Sequence, residues 1–373
     1  MSYNGRMNSK TVLDYQWPYL ASFLAPRDII EESAKDFGAL RRKRSVDSAD
    51  TLLRLVFAYG FCGMSLRQTA AWAEASDIAS LSDVALLKRL RLAPDWLGHL
   101  LALKLAEKAT PPSGFQGRLR LVDATVISRP GSTGTDWRVH MSLNLGTSTI
   151  DHIEVTDGSG GETLKRFSLR KGDVVIADRG YAHRSGIASV AKGDGDFVVR
   201  LPWSTVPLED RDGGSFDLFD FLRSLPEGEA GEVLVQLKPD PRKMVPAVPA
   251  RLVAVRKTEA AAEETRKKLI TTASKKKKVP DPRSLEAAAY VILLTSLAGE
   301  TLGAKQVLAL YRFRWQIEIA FKRLKGLLEL DELPAKESCL ARTFILSKLL
   351  AALLLDDFTR AYVSFSPWGF NLR

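Results

Sequence analysis

Cysteine is nearly missing from this chain of 373 residues: there are two, Cys62 and Cys339, far apart and both in apolar surroundings. No disulfide scaffold and no cysteine-based zinc site can be built from them, and such sparing use suits a reducing cytosol. Histidine is almost as scarce. His99, His140, His152 and His183 show neither an H-E-x-x-H pattern nor a paired spacing. If the protein uses a metal, carboxylates must hold it. The N-terminus lacks the charged-then-apolar pattern of a leader. The most apolar segment, "TFILSKLLAALLLDDF" from Thr343, is interrupted by Lys348 and two aspartates. It reads as too short to cross a bilayer and as a buried or dimer-forming helix, so no membrane partner is expected.

What is present in excess is positive charge. Lys and Arg number 54 against 44 Asp and Glu, a net charge of +10, with a pI near 9.5. A polyanionic partner is the physical implication, although charge alone does not distinguish nucleic acid from mere solubility. The length allows two or three domains, and no internal repeat is visible.

The local grammar changes along the chain. Residues from about 28 to 108 are rich in Ala, Leu, Arg and Glu at helical spacing. Within them, two short helices are predicted to start at the N-cap candidates Ser65 and Ser82. The second ends in Lys88, Arg89 and Arg91, so the pair is either a helix-turn-helix or a plain helical hairpin. "TPPSG" at Thr110 marks a linker. Beyond it come the strand-like "RLRLVDATVI", "RVHMSLNLGT" and "DHIEVTD", a short helix over "GETLKRFSLRKG", the buried strand of "DVVIADRGY", a helix and the strand "DFVVRL". That order is the one expected of a ribonuclease H-like α/β core. From Pro202 to about Gly299 the chain is again strand-rich, and the Lys275–Lys278 run within it reads as a solvated loop, with direct phosphate contact as the alternative. The expected organisation is a helical N-terminal DNA-binding domain (1–115), a first core segment (116–201), a β-rich insertion (202–299) and a core completion with a C-terminal helix (300–373).

Two aspartates stand at strand ends. Asp123 follows "RLRLV" and Asp178 follows "VVIA", and strand ends are where sites collect in open α/β sheets. Either alone reads first as a turn or cap residue. Asp136, Asp151 and Asp173 compete with them, but none directly ends an apolar strand run. The stretch "YRFRWQIEIAFKRLK" adds a third carboxylate. On a continuous helix Tyr311, Arg314, Glu318 and Lys325 lie within roughly 60° of one another. The apolar face of Phe313, Ile317, Ala320, Phe321 and Leu324 runs beside them. An i,i+4 pair between Arg314 and Glu318 is the structural explanation, worth only a few tenths of a kcal/mol. Two strand aspartates and a helix glutamate could instead hold two Mg²⁺ ions for phosphodiester chemistry, with Arg314 and Lys325 on phosphate oxygens.

The spacing Tyr311-x2-Arg314-x3-Glu318-x6-Lys325 resembles the signature of the insertion-sequence-four family of bacterial DDE transposases. "DAT" at Asp123 and "DRGY" at Asp178 are similar to that family's other two catalytic blocks, and the likeness runs from about Leu119 to Leu328. The resemblance implies a cut-and-paste DNA transposase acting at terminal inverted repeats, with Asp123, Asp178 and Glu318 as ligands of two Mg²⁺ ions (or Mn²⁺). It implies DNA-contacting or site-organising roles for Tyr311, Arg314 and Lys325, double-stranded DNA as partner, a homodimeric synaptic complex, and action at the nucleoid of a bacterial cytoplasm. Some members trap a flipped base on an aromatic side chain of the insertion, where this chain offers Tyr290 instead of tryptophan. Trp315 is another possible stacker, with core or groove packing as the alternative. A catalytically inactive DNA-binding derivative and a ribonuclease H-like structure-specific nuclease are the other readings of the same residues.

Overall fold

Serines open three helices in the first hundred residues. Ser48 Oγ accepts from the Thr51 amide at 3.0 Å and Ser82 Oγ from the Ala85 amide at 3.2 Å, while Ser65 and Gln68 close a capping box. The computed structural model describes residues 13, 17–108, 118–145, 149–300, 302–330, 332–334 and 337–363. The Thr110–Gly114 linker therefore lies outside the described residues. The helices are α1 (Trp17–Ser22), α2 (Arg27–Asp36), α3 (Ala49–Gly60), α4 (Leu66–Ala75), α5 (Asp83–Arg91) and α6 (Pro94–Lys108).

An antiparallel meander follows, with β1 (Leu119–Ile127), β2 (Trp137–Asn144) and β3 (Thr149–Asp157). The alternation of Val139, Met141 and Leu143 buries all three on one face. Next come β4 (Val174–Ala177), α7 (Arg184–Lys192) and β5 (Asp196–Arg200), a crossover that makes β5 parallel to β4. The helix expected over "GETLKRFSLRKG" is only a 3-10 turn, Leu164–Arg166. Phe167 leaves it in extended conformation and buries its ring against His152 and Tyr181, which ends the turn.

The segment expected as a β-rich insertion holds β6 (Leu208–Asp210), α8 (Leu218–Arg223), β7 (Ala230–Leu237), β8 (Val248–Arg256), α9 (Glu259–Lys275), α10 (Pro282–Ala287) and β9 (Tyr290–Thr295). The 17-residue α9 was not anticipated; the exposed Lys275–Lys278 run forms its end and the turn beyond. Among the described residues, all strands lie in one sheet of order β3-β2-β1-β4-β5-β9-β8-β7-β6. β9 joins its two halves, antiparallel to β5 on one side and to β8 on the other. The insertion strands thus continue the first sheet rather than pack as another layer.

The chain closes with α11 (Ala304–Arg312), α12 (Trp315–Leu328) and α13 (Ser338–Val363). At 26 residues, with a stretch from Ser338 to Asp357 of mean hydropathy 1.7, α13 is long and apolar enough by composition to cross a membrane, contrary to the sequence expectation. Most of that stretch is buried against α3, α5 and α6, as a core helix. Its interrupting charges are partnered: Lys348 Nζ donates to the Glu329 carbonyl at 3.0 Å and sits over the Phe344 ring, and Asp357 pairs with buried Lys104 at 2.9 Å. One core runs from the N-terminal helices through α13 to the sheet face carrying Leu121, Ile176 and Val198. The opposite face, with Val122, Val175 and Val199, is covered by α7 and the helices of the insertion.

The contact between α3 and α13 leaves no room at Gly60, where an added Cβ would overlap Ser347 Oγ. Gly60→Ala should cost about 1–3 kcal/mol by overpacking. In urea titrations part of that loss should return when Ser347→Gly is added, and simple additivity of the two changes would contradict the contact.

Candidate active site

The parallel register of β1 and β4 brings the two aspartates together. Leu119 pairs with Val174, Arg120 with Val175 and Leu121 with Ile176, so two residues further on Asp123 stands abreast of Asp178. Period-2 alternation puts both on the sheet face of Leu121 and Ile176, the face that also receives Ile317 and Phe321 of α12. Asp123 accepts the Ala124 amide at 2.8 Å. Asp178, just past its strand, caps the 3-10 turn Arg179–Tyr181 by accepting the Gly180 amide at 2.8 Å. Burial pushes the Asp123 carboxyl up to about 6. The Ala124 amide and Arg314 oppose that rise, while Asp178 and Glu162 add to it.

Glu318 reaches the same group through Arg314. The Arg314 guanidinium lies 2.5 Å from Glu318 and 3.8 Å from Asp123, bridging strand and helix. The expected single helix from Tyr311 to Lys325 is two helices, α11 and α12. Between them the amides of Phe313, Arg314 and Ile317 bond three residues back, to Leu310, Tyr311 and Arg314. Such 3-10 tightening rotates the positions that follow, which explains why Phe313, expected on the apolar face, is 45% exposed while Ile317 and Phe321 remain buried. The side chain of Leu324 lies outside the described residues.

Other candidates from the sequence fall at varying distances from this group. Tyr311 is buried at the end of α11 with Arg314 over its ring at 5.9 Å, and burial pushes its phenol up. Lys325 Nζ donates to the Val126 carbonyl of β1 at 3.4 Å. Trp315 is exposed at the first turn of α12. Tyr290 does not stand on an accessible surface: it is 5% exposed, inside the core on the α7 side, because β9 is central to the sheet and begins with its ring facing inward. A base cannot stack on it without opening that core. On α5, Arg89 donates to the Arg42 carbonyl at 2.6 Å and Arg91 pairs with Glu337 at 3.5 Å, leaving Lys88 exposed. These three residues lie on the helical side and make no contact with the carboxylate group.

The competing aspartates have structural partners. Asp151 and Asp173 are buried with Arg118 and Arg120 at the start of β1, where Arg118 meets Asp173 at 2.8 Å and Arg120 meets Asp151 at 3.1 Å. Asp136 accepts the amide and guanidinium of Arg129 across a turn at 2.8 and 2.6 Å.

Three features had no place in the sequence reading. Glu162, in the loop after β3, lies within the electrostatic field of both Asp123 and Asp178. No spacing signal marks a single loop glutamate. Arg179, Arg200 and Lys257 form a row of like charges, in which burial and mutual repulsion hold Arg179 below its usual value and Lys257 down at about 8. Arg200 directly follows an apolar strand run, the same signal that singled out the aspartates, and Arg179 comes next after Asp178. Finally, a cavity of about 540 Å³ between α11 and the insertion strands is lined by Arg200, Lys305, Tyr311, Arg312, Arg314 and Trp315.

Residues 114–354 match the family described as the transposase DDE domain. The chain belongs to that family. Beyond the domain, it is 44% identical over 354 residues to the InsL protein of insertion sequence element IS186A of Escherichia coli K12, covering 94% of this chain and 96% of that one. It is 43% identical over 355 residues to the transposase for IS421 of Escherichia coli, with the same coverage. At 23% identity it is also similar to the transposase for IS231F of Bacillus thuringiensis subsp. israelensis, over 91% of this chain and 78% of the other. A solved piggyBac transposase in a synaptic complex with hairpin DNA is similar over 94% of this chain and 82% of its own, at a TM-score of 0.43 and 11% identity. Likeness at that score assigns neither fold nor partner.

The donor set of this transposase suits a hard divalent cation. The group is built from carboxylate oxygens, with neither thiol nor thiolate among them. Among the described residues no three acidic or histidine side chains already close into a ligand cage. The Arg314 guanidinium instead supplies the positive charge between Asp123 and Glu318.

Because its pKa rises from 3.8 to about 6 on folding, Asp123 binds its proton more tightly in the folded state. Stability therefore falls as pH rises between those values, and above about 6 the ionised carboxylate opposes folding by on the order of 3 kcal/mol. In chelator, Asp123→Asn should melt several degrees above the parent at pH 8, with the gap closing at pH 4. Equal melting at pH 8 would show that the buried Asp123 carboxylate does not oppose folding.

Proposed function

We propose that this transposase excises and inserts its element by a cut-and-paste route, hydrolysing phosphodiesters at terminal inverted repeats and transferring the freed 3′ ends to target DNA. Asp123, Asp178 and Glu318 are its metal-binding carboxylates. The observation that carries this reading is the abreast pair of strand-end aspartates with a helix glutamate linked to them through one arginine. The Tyr-Arg-Glu-Lys spacing supports membership of the insertion-sequence-four group, and the β3-β2-β1-β4-β5 order with its α7 crossover supports a ribonuclease H-like core.

Bound at these carboxylates, two Mg²⁺ or Mn²⁺ ions supply Lewis-acid stabilisation of the attacking and leaving oxygens. The residues divide the remaining work. Asp123 and Asp178 hold their oxygens on a rigid sheet, and Glu318 joins them when Arg314 exchanges its carboxylates for a DNA phosphate. That exchange suits a planar guanidinium, which binds either anion in a fork. Tyr311 packs under the Arg314 guanidinium and keeps it near the strand ends, and Lys325 tethers α12 to β1. Arg179, Arg200 and Lys257, with the cavity beside Trp315, provide a basic track for the DNA backbone.

The helical residues up to about 115 are read as the unit that recognises element ends, and residues 202–299 as the insertion that flanks the cut strand. Pairing of two ends calls for a homodimeric synaptic complex, working at the nucleoid of a bacterial cell.

Purified protein with DNA carrying the element's terminal repeats should nick and join it only with Mg²⁺ or Mn²⁺. Glu318→Gln and Asp178→Asn should lose both reactions while still shifting the DNA in gels; persistent cleavage by either variant removes that residue from the site. Cleavage without joining would favour a nuclease, and binding without cleavage by the parent would favour an inactive derivative.

Arg200→Ala should weaken DNA binding and lower the slope of log K against log salt by about one, the loss of one phosphate contact. An unchanged slope would exclude Arg200 from the track.

A further inference from the structure

We propose that Glu162 is a fourth carboxylate of the metal centre, binding a divalent cation together with Asp178. The inference rests on the reading of Asp123, Asp178 and Glu318 as metal ligands.

Its first support is position. Glu162 extends from the loop after β3 across Gly180, and a Cβ at Gly180 would overlap Glu162 Oε2. The glycine of "DRGY" thus lets a fourth carboxylate lie against the turn that Asp178 caps. Asp178 and Asp123 both feel its charge. Arg138 and His183 are the positive groups that act on it, but the Arg138 Nε stands 4.0 Å away and the Arg138 Nη1 is committed to the Gly160 carbonyl at 2.9 Å. The Arg314 guanidinium, which lies between the other carboxylates, is bonded to Glu318.

A second, independent observation marks the same point. Tyr181 is fully buried and, among the described residues, its hydroxyl meets no hydrogen-bond partner. Glu162, Asp123 and Asp178 are the acidic groups acting on that hydroxyl. Buried polar groups left unpaired in a fold concentrate where a ligand or ion completes them. Three carboxylates and a phenol hydroxyl supply only hard oxygen, the donor type of Mg²⁺ and Mn²⁺. Glu162 and Asp178 together would hold one ion on the β4 side of the sheet. Glu318 would then serve mainly the ion on the α12 side, so that a first cation can bind before Arg314 lets Glu318 go.

Mn²⁺ binding to the full-length protein without DNA, followed by the electron paramagnetic resonance signal of free Mn²⁺, tests the assignment. Glu162→Gln should weaken binding tenfold or more, or remove one ion from the stoichiometry, with the melting temperature in chelator retained. Arg138→Gln should leave Mn²⁺ affinity unchanged or raise it. If Glu162→Gln binds Mn²⁺ as the parent does while Asp178→Asn does not, the Glu162 assignment falls and the three-carboxylate reading stands. If Asp178→Asn also binds normally, both fall. If Arg138→Gln weakens binding as much as Glu162→Gln, Glu162 is only that arginine's partner and the assignment falls. Should Glu162→Gln fail to fold, Glu162→Asp replaces it: retaining charge but withdrawing the carboxylate by one methylene, it should still weaken Mn²⁺, and parental affinity would overturn the proposal.

Discussion

Two like charges held side by side by a parallel strand register are the constraint on which the rest of this protein turns. β4 is only four residues long, and its pairing with β1 leaves Asp123 and Asp178 abreast at the point where both strands run out. A slip of one residue would send either aspartate to the opposite face of the sheet. The other end of β1 fixes the register. Arg118 and Arg120 are buried there with Asp151 and Asp173, a set of charges that is tolerable only while every member keeps its partner. One strand therefore starts in a satisfied ionic cluster and ends in an unsatisfied one. The satisfied cluster is architectural. The unsatisfied one has chemistry to offer.

Arg314 places a positive charge within the acidic group. It bonds Glu318 and faces Asp123, and the 3-10 tightening at the junction of α11 and α12 points it there. Phe313 and Trp315 are exposed at the same junction, and Trp315 lines the cavity together with Arg200, Lys305 and Arg312. Acidic and basic surfaces thus meet along one helix junction, the arrangement that the proposed binding of a cation and a DNA backbone calls for.

The remainder of the chain stiffens this junction. α13 is enclosed by α3, α5 and α6, and their shared core reaches the sheet face beneath the aspartates. On the other side β9 ties the insertion strands into the sheet next to β5. Residues nearly two hundred positions apart, such as Val126 and Lys325, consequently face one another across two elements that are each anchored by a core.

Much of the carboxylate group could be read in the primary structure, because its members stand at positions that local rules mark. Asp123 and Asp178 each end an apolar run, Ser65 and Ser82 precede helical periodicity, and the Tyr-Arg-Glu-Lys spacing holds its meaning whether the helix is continuous or tightened. Glu162 escaped notice because a loop glutamate obeys no period; only the fold carries it to Gly180. Tyr290 looked available in a strand-like segment, and the pairing of β9 on both edges is what buried it. The length of α13 was hidden by Lys348 and the aspartates, whose charges are accepted in a core because the Glu329 carbonyl, the Phe344 ring and Lys104 answer them. Spacing along the chain was thus enough to single out the two aspartates and the glutamate that Arg314 links in the fold, since periodicity and capping act over a few residues. Which acids meet, which are neutralised and which cation stands between them was decided by contacts between distant segments, because electrostatics acts through space and takes no account of order along the chain.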